Sequence, residues 1–186
     1  QDLLGRGLRV EGRMLFVIDG AKGLRKSIED VFGSAAVVQR CQNHKRRNIL
    51  ALLPEGSHAY ANSKLSEAWA SSSPKTARAL MKGLANWMER EGHDDAAQSL
   101  REGLEETLTV VKLGLMGSLR AFFSTTNAIE NVMGSLRVTT ANVKRWRKGD
   151  MLKRWLGVAF LKAGKSFRRI KGFKGMPTLV NALRSE

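Results

Sequence analysis

Cysteine is almost missing from this chain: Cys41 is the only one in 186 residues. That excludes an intramolecular disulfide and fits a reducing compartment. Histidines number three, too few with one cysteine to furnish the usual four-ligand structural zinc site in one neighbourhood. No apolar run approaches the roughly 20 residues needed to span a membrane. The N-terminus is polar and has no apolar stretch of the kind that marks a secretory signal. Acids are also scarce, 17 against 32 lysines and arginines, for a net charge of +15. There is no internal repeat and no long low-complexity segment. The chain opens on Gln1 rather than Met, which reads as a piece of a longer or processed protein.

What is present is a chain of 42% hydrophobic residues, long enough for one medium domain or a core with one insertion. The cations are unevenly spread. Residues 1–54 carry ten lysines and arginines against five acids, 55–106 carry six against nine, and 137–175 carry thirteen against one. Cations clustered in this way condense onto a phosphate backbone and release its counterions, which points to nucleic acid. A solvated basic face is the plainer alternative.

Met14–Ile18 is a continuous apolar run of strand-forming residues, of a length that suits a strand buried on both faces. Asp19-Gly20 ends it. Gly23–Phe32 reads as a helix with Leu24, Ile28, Val31 and Phe32 on one face. Ala35–Gln39 reads as a second short strand and Lys45–Leu53 as a helix closed by Pro54. This order implies an α/β fold with parallel strands. Beyond Pro54 the pattern is helical: Leu65/Trp69, Leu80/Leu84/Trp87/Met88 and Leu100/Leu104/Leu108/Val111 recur at spacings of three and four. Ser71–Pro74 and Gly92–Asp95 are turns. Ser124–Asn127 supplies N-caps for a helix with an Ile129, Val132, Met133, Leu136 stripe. Met151, Leu152, Trp155, Leu156, Ala159 and Phe160 define another helix, expected to pack back on the core. The Gly/Lys/Arg-rich stretch from Ala163 to Pro177 reads as loose or partner-ordered. The chain thus divides into a core at 1–54, a helical insertion at 55–120 and a basic helical region at 121–186.

The residues able to carry chemistry are few. Asp19 sits where a strand meets a loop, the place where functional groups gather in open α/β sheets, and an acid there can hold a hard divalent cation. A loop aspartate before a glycine turn is the alternative. Glu130, 111 residues later, lies in the first turn of a helix. It can serve the helix dipole, act as a capping-box partner of Asn127, or complete a metal site with Asp19. Cys41 and His44 have the spacing of half a zinc site, without the other half; they are a buried cysteine and a helix-start histidine, or supports for the acids. Arg40, Lys45, Arg46 and Arg47 surround that pair. Lys144-Arg145-Trp146-Arg147-Lys148 interleaves cations with an aromatic, which suits phosphate contact with base stacking, or alternatively a core tryptophan flanked by exposed charge.

Three ordered motifs, Val17-Ile18-Asp19-Gly20-Ala21-Lys22-Gly23-Leu24, Gln39-Arg40-Cys41-Gln42-Asn43-His44-Lys45-Arg46-Arg47-Asn48 and Thr126-Asn127-Ala128-Ile129-Glu130-Asn131, resemble the Mutator-type transposases of bacterial insertion sequences. The likeness runs over nearly the whole chain, including Lys148-Gly149-Asp150 to Phe160. It implies an RNase H-like catalytic core with three acids, a Cys-x-x-His signature and a helical insertion before the last acid. Asp19 falls at the second aspartate, Glu130 at the glutamate, and Cys41 and His44 at the signature; by their helical spacing alone, Asn127 and Asn131 bracket Glu130 and either buttress its carboxylate or cap the helix. The first aspartate belongs before residue 1, since Asp2 leads into a helix end. The implied chemistry is Mg²⁺- or Mn²⁺-dependent cleavage at terminal inverted repeats and strand transfer to target DNA. The resemblance also implies a bacterial cytoplasmic, nucleoid-associated protein with no membrane partner and a homodimer at synapsis. For the chain alone it implies DNA affinity without strand transfer. A non-enzymatic nucleic-acid-binding protein and an RNase H-like nuclease are the competing readings.

Overall fold

The computed structural model describes residues 2–145 and 149–185. A short helix, α1 (Asp2–Gly5), precedes β1 (Met14–Ile18), α2 (Lys22–Phe32), β2 (Ala36–Arg40) and α3 (Gln42–Leu50). The strands pair in parallel, with Met14 opposite Ala36 and Ile18 opposite Arg40. The α/β order expected from the sequence is therefore present. The first strand is not buried on both faces, however: only Ile18 is fully buried, and the second edge of β1 has no partner among the described residues. Leu24 of α2 is also exposed, so the face expected to be wholly inward is covered only from Ile28 onward. The next helix starts three residues earlier than expected, because Cys41 occupies the N-cap position. It ends at Leu50, and Pro54 instead heads the following helix.

From there the chain is helical: α4 (Glu55–Ala70), α5 (Pro74–Arg90), α6 (Asp94–Arg101), α7 (Leu104–Thr107), α8 (Thr109–Lys112) and α9 (Gly117–Phe123). Proline at the first position of α5, where its missing N–H costs nothing, and the Ser73 hydroxyl accepting from the Thr76 N–H at 3.3 Å set that start. Ile49, Leu53, Leu65, Trp69, Met81, Leu84, Met88, Leu100, Leu104, Leu108 and Val111 form one continuous apolar core. The spacings of three and four in the sequence are the inward positions of these helices.

This block is fastened to the strands by polar groups. The helix breaks between α7 and α8, which leaves backbone groups needing partners. Buried Gln39 of β2 provides them: its amide donates to the Thr107 carbonyl at 3.1 Å and its carbonyl accepts from the Val110 N–H at 2.9 Å. Gln42 donates to the same Thr107 carbonyl, and the Thr109 hydroxyl donates to the Val38 carbonyl. Arg120 of α9 donates to the Ala70 and Ser71 carbonyls, closing the end of α4; burial lowers its pKa.

The remaining elements are α10 (Asn127–Thr140), α11 (Asp150–Lys165) and α12 (Met176–Arg184). α11 packs against α10, burying Leu136, Ala159 and Ala163. The face expected to turn inward does so in part: Ala159 is buried and Met151 and Leu156 are half-buried, whereas Leu152, Trp155 and Phe160 are exposed. The tail is not loose either. Ile170, Met176 and Leu179 pack with Val37, Val110, Leu113, Leu115 and Leu119. Gly172, at φ 79°, lies so close to the Leu119 backbone that a Cβ there would stand 2.6 Å from its nitrogen.

Candidate active site

Asp19 follows the last residue of β1 and is exposed. Its Oδ1 accepts from the Ala21 N–H at 3.0 Å, an Asx turn that fixes the loop and leaves Oδ2 without a partner among the described residues. One strand over, the Cys41 N–H donates to the Ile18 carbonyl at 2.7 Å, so Cys41 continues the sheet pairing level with Asp19.

Cys41 is fully buried. Its Sγ lies 3.4 Å from the Thr126 nitrogen and 3.3 Å from the Thr126 Oγ1. That hydroxyl donates to Glu130 Oε1 at 2.5 Å and stands 3.4 Å from His44 Nδ1. His44 Nδ1 is itself 3.8 Å from Glu130 Oε1. A parallel link joins the Asn43 amide to the Asn127 Oδ1 at 3.3 Å, and the Gln42 N–H donates to the Ser124 carbonyl. The signature pair and the glutamate helix are thus tied together across more than 80 residues of sequence.

The structure corrects two expectations about support. Asn127 does not reach the Glu130 carboxylate; it bonds Asn43, and no capping box forms. Thr126, unassigned from the sequence, makes the contact instead. Its spacing of four from Glu130 on a helix was the available signal.

The basic residues near the signature divide in two. Arg40 and Lys45 are buried and are not phosphate contacts. Arg40 donates to the Glu102 carbonyl at 3.2 Å, and its guanidinium lies between Gly20 and Gly103, where a Cβ at either would come within 2.4 Å. Both glycines have positive φ, 99° and 70°, so glycine serves conformation and close approach together. Lys45 donates to the Ser99 and Glu102 carbonyls at the end of α6, where the helix dipole is negative. Arg46 stacks 5.3 Å over Trp69 and donates to the Ser66 hydroxyl, whereas Arg47 is exposed. Lys144 and Arg145 are exposed, and Trp146, Arg147 and Lys148 lie outside the described residues. Arg137, also exposed, stands seven residues beyond Glu130, two turns along the same face and about 10 Å away along the axis. Helical periodicity alone could have picked it out.

Asp19 and Glu130 are thus connected through Ile18, Cys41 and Thr126, and each has one carboxylate oxygen engaged and the other without a partner among the described residues. Hard divalent cations take such oxygens and keep several waters or phosphate oxygens besides. Among the described residues, no three His, Cys, Asp or Glu side chains cluster as a ready metal site. Asp19 and Glu130 each offer a carboxylate oxygen of the kind such a cation takes. No described helix is long and apolar enough to cross a membrane.

Comparison with known proteins shows the family. Residues 1–169 match the family described as transposase, Mutator family. The chain is also similar to the transposase for insertion sequence element IST2 of Acidithiobacillus ferrooxidans, with 27% identity over 191 residues. That alignment covers 95% of this chain and 62% of the relative. No solved structure matches the chain.

Proposed function

Because the chain belongs to the Mutator family of transposases, we propose that it forms the larger part of a DDE-type catalytic core for metal-dependent DNA cleavage and strand transfer. Supporting this reading is the run of contacts from Ile18, next to Asp19, through Cys41 and Thr126 to Glu130. Asp19 and Glu130 would hold Mg²⁺ or Mn²⁺. Such an ion supplies Lewis-acid charge at a phosphate, where positioning and charge neutralisation account for most of the catalysis. The chain's own part is to fix the two carboxylates and to line up the DNA with exposed cations such as Arg47, Arg137, Lys144 and Arg145. In this reading the parallel pair belongs to an RNase H-like sheet, and a first aspartate sits on a further strand beside β1 in the longer protein. The DNA is a transposon end and its target, handled by a homodimer.

A frame extended upstream to include that strand should cleave terminal-repeat DNA with Mg²⁺ or Mn²⁺. Asp19→Asn and Glu130→Gln should each lower turnover at least a hundredfold while leaving DNA affinity within about twofold. The 186-residue chain should bind DNA without strand transfer. Free ends with no joined product would mark a nuclease, and unchanged activity in both variants would refute the site.

A further inference from the structure

A threonine hydroxyl has one proton, and Thr126 Oγ1 has three polar neighbours: Glu130 Oε1 at 2.5 Å, Cys41 Sγ at 3.3 Å and His44 Nδ1 at 3.4 Å. The shortest contact is to the carboxylate, an acceptor only when ionised, so the hydroxyl proton goes there. The hydroxyl lone pairs then face the sulfur and the imidazole. Both can act as donors: Cys41 through S–H, and His44 through Nδ1–H in the matching tautomer. The Thr126 N–H meanwhile points at a sulfur lone pair. Cys41 thus has work at this place without being a nucleophile or a metal ligand. A thiol fully enclosed by protein is a small donor that seats the hydroxyl.

The consequence falls on the glutamate. Its Oε1 is engaged by Thr126 and lies near His44, while Oε2 has no partner among the described residues. We infer that Thr126 is a positioning residue: it gathers Cys41 and His44 into one anchor that holds Oε1 and turns Oε2 outward as the oxygen offered to a cation. This inference rests on the metal-site reading above for the identity of what Oε2 meets, but not for the anchoring itself. It also gives a physical reason for the fixed spacing of the Cys-x-x-His pair. Residues at the N-cap and the third position of α3 present both side chains to one point, and the Thr126–Glu130 spacing places the carboxylate at that point.

The test compares Thr126→Val, which keeps shape and loses the hydroxyl, with Thr126→Ser, which restores it. Two readouts apply to the 186-residue chain. The first is the side-chain order of Glu130 from methylene NMR relaxation, measured without metal. The second is Mn²⁺ affinity from water-proton relaxation. Thr126→Val is expected to free the Glu130 side chain and weaken Mn²⁺ binding about tenfold or more, in line with other supports of metal-bound side chains. Thr126→Ser should recover the order and come within about threefold of the original affinity. Thermal unfolding checks that both variants are folded; should the valine variant not fold, Cys41→Ala with the same readouts takes its place. An unchanged Glu130 order in folded Thr126→Val, or failure of serine to restore it, overturns the inference. Loss of order with no Mn²⁺ binding even in the parent chain instead leaves the anchor standing and removes the metal-site reading.

Discussion

Lys45 shows how far a residue's chemistry can depart from its appearance in a sequence. In Cys-Gln-Asn-His-Lys-Arg-Arg it reads as one of several DNA-facing cations, yet it is 1% exposed. Its carbonyl partners lie 54 and 57 residues away, which no local pattern reveals. Arg40 misleads in the same way, its acceptor being 62 residues off. Desolvation, with nearby Arg40 adding to it, pushes Lys45 down from 10.5 to about 8. Below about pH 8 the folded protein carries the full cost of the buried charge. As pH rises from 8 towards 10.5, the folded state releases the proton before the unfolded state does, and stability is gained. The gain is bounded at about 3 kcal/mol. Urea unfolding at pH 7.5 and 9.5 should show this rise in the parent and not in Lys45→Met. By contrast, Asp19, Cys41, His44 and Glu130 were legible as a set. Their types and order give them away, and the structure joins three of them, Cys41, His44 and Glu130, at Thr126, which was hidden by its ordinary role as a helix-start residue.

At the scale of elements, strands and long helices were readable because their apolar periods match their inward faces. Boundaries were less so. The α3 start depends on Cys41 stopping the strand and capping the helix, and the α7–α8 break depends on Gln39 reaching in from β2. On α11 the inward face was read rightly at Met151, Leu156 and Ala159, while Ala163 was missed and Trp155 and Phe160 misplaced, because an alanine gives no hydrophobic signal comparable to theirs. Within the helical block, Arg78 makes a paired contact with Glu105 at 2.5 and 2.8 Å, and Lys112 stands 2.7 Å from the same carboxylate. The Arg78 hydrogen bond is the main reason that Glu105 falls from 4.5 to about 2. A lowered carboxylate stabilises above its unfolded value and loses that contribution as pH falls through the folded one. Arg78→Ala should therefore cost stability at pH 6, and the difference from the parent should shrink between pH 4.5 and 2. Because these groups are half exposed, salt should shrink it as well. The docked tail allows a sharper test. Gly172→Ala strains a positive φ and drives a methyl into the Leu119 backbone, so a loss of about 2 kcal/mol or more in chemical unfolding is expected. A neutral result would mean that the tail does not pack there.

For the molecule as a whole, the net charge of +15 is legible from composition, but its useful part is narrower than the sequence suggested. Two of the signature cations are structural, so in the proposed reading the exposed cations left for DNA are those such as Arg47, Arg137, Lys144 and Arg145. Affinity for a duplex, followed by fluorescence anisotropy, should fall at least a hundredfold between 50 and 200 mM salt. Arg137→Ala should lessen the salt slope by about one, whereas Lys45→Met should leave the slope unchanged. The α/β order was visible from residue 14 to 54, and the way the helical block locks onto the strands was not, because that attachment is made by isolated glutamines and threonines rather than by an apolar period.

The two edges of the small sheet differ. β2 is shielded by α7 and α8, with Thr109 occupying the Val38 carbonyl, while among the described residues no strand pairs with the outer edge of Met14–Ile18. Such a border is sticky in concentrated solution, because each copy can template strand addition on the next. Sedimentation of the 186-residue chain should show self-association that grows with concentration and recedes in Met14→Lys, where a charge sits at the head of that border.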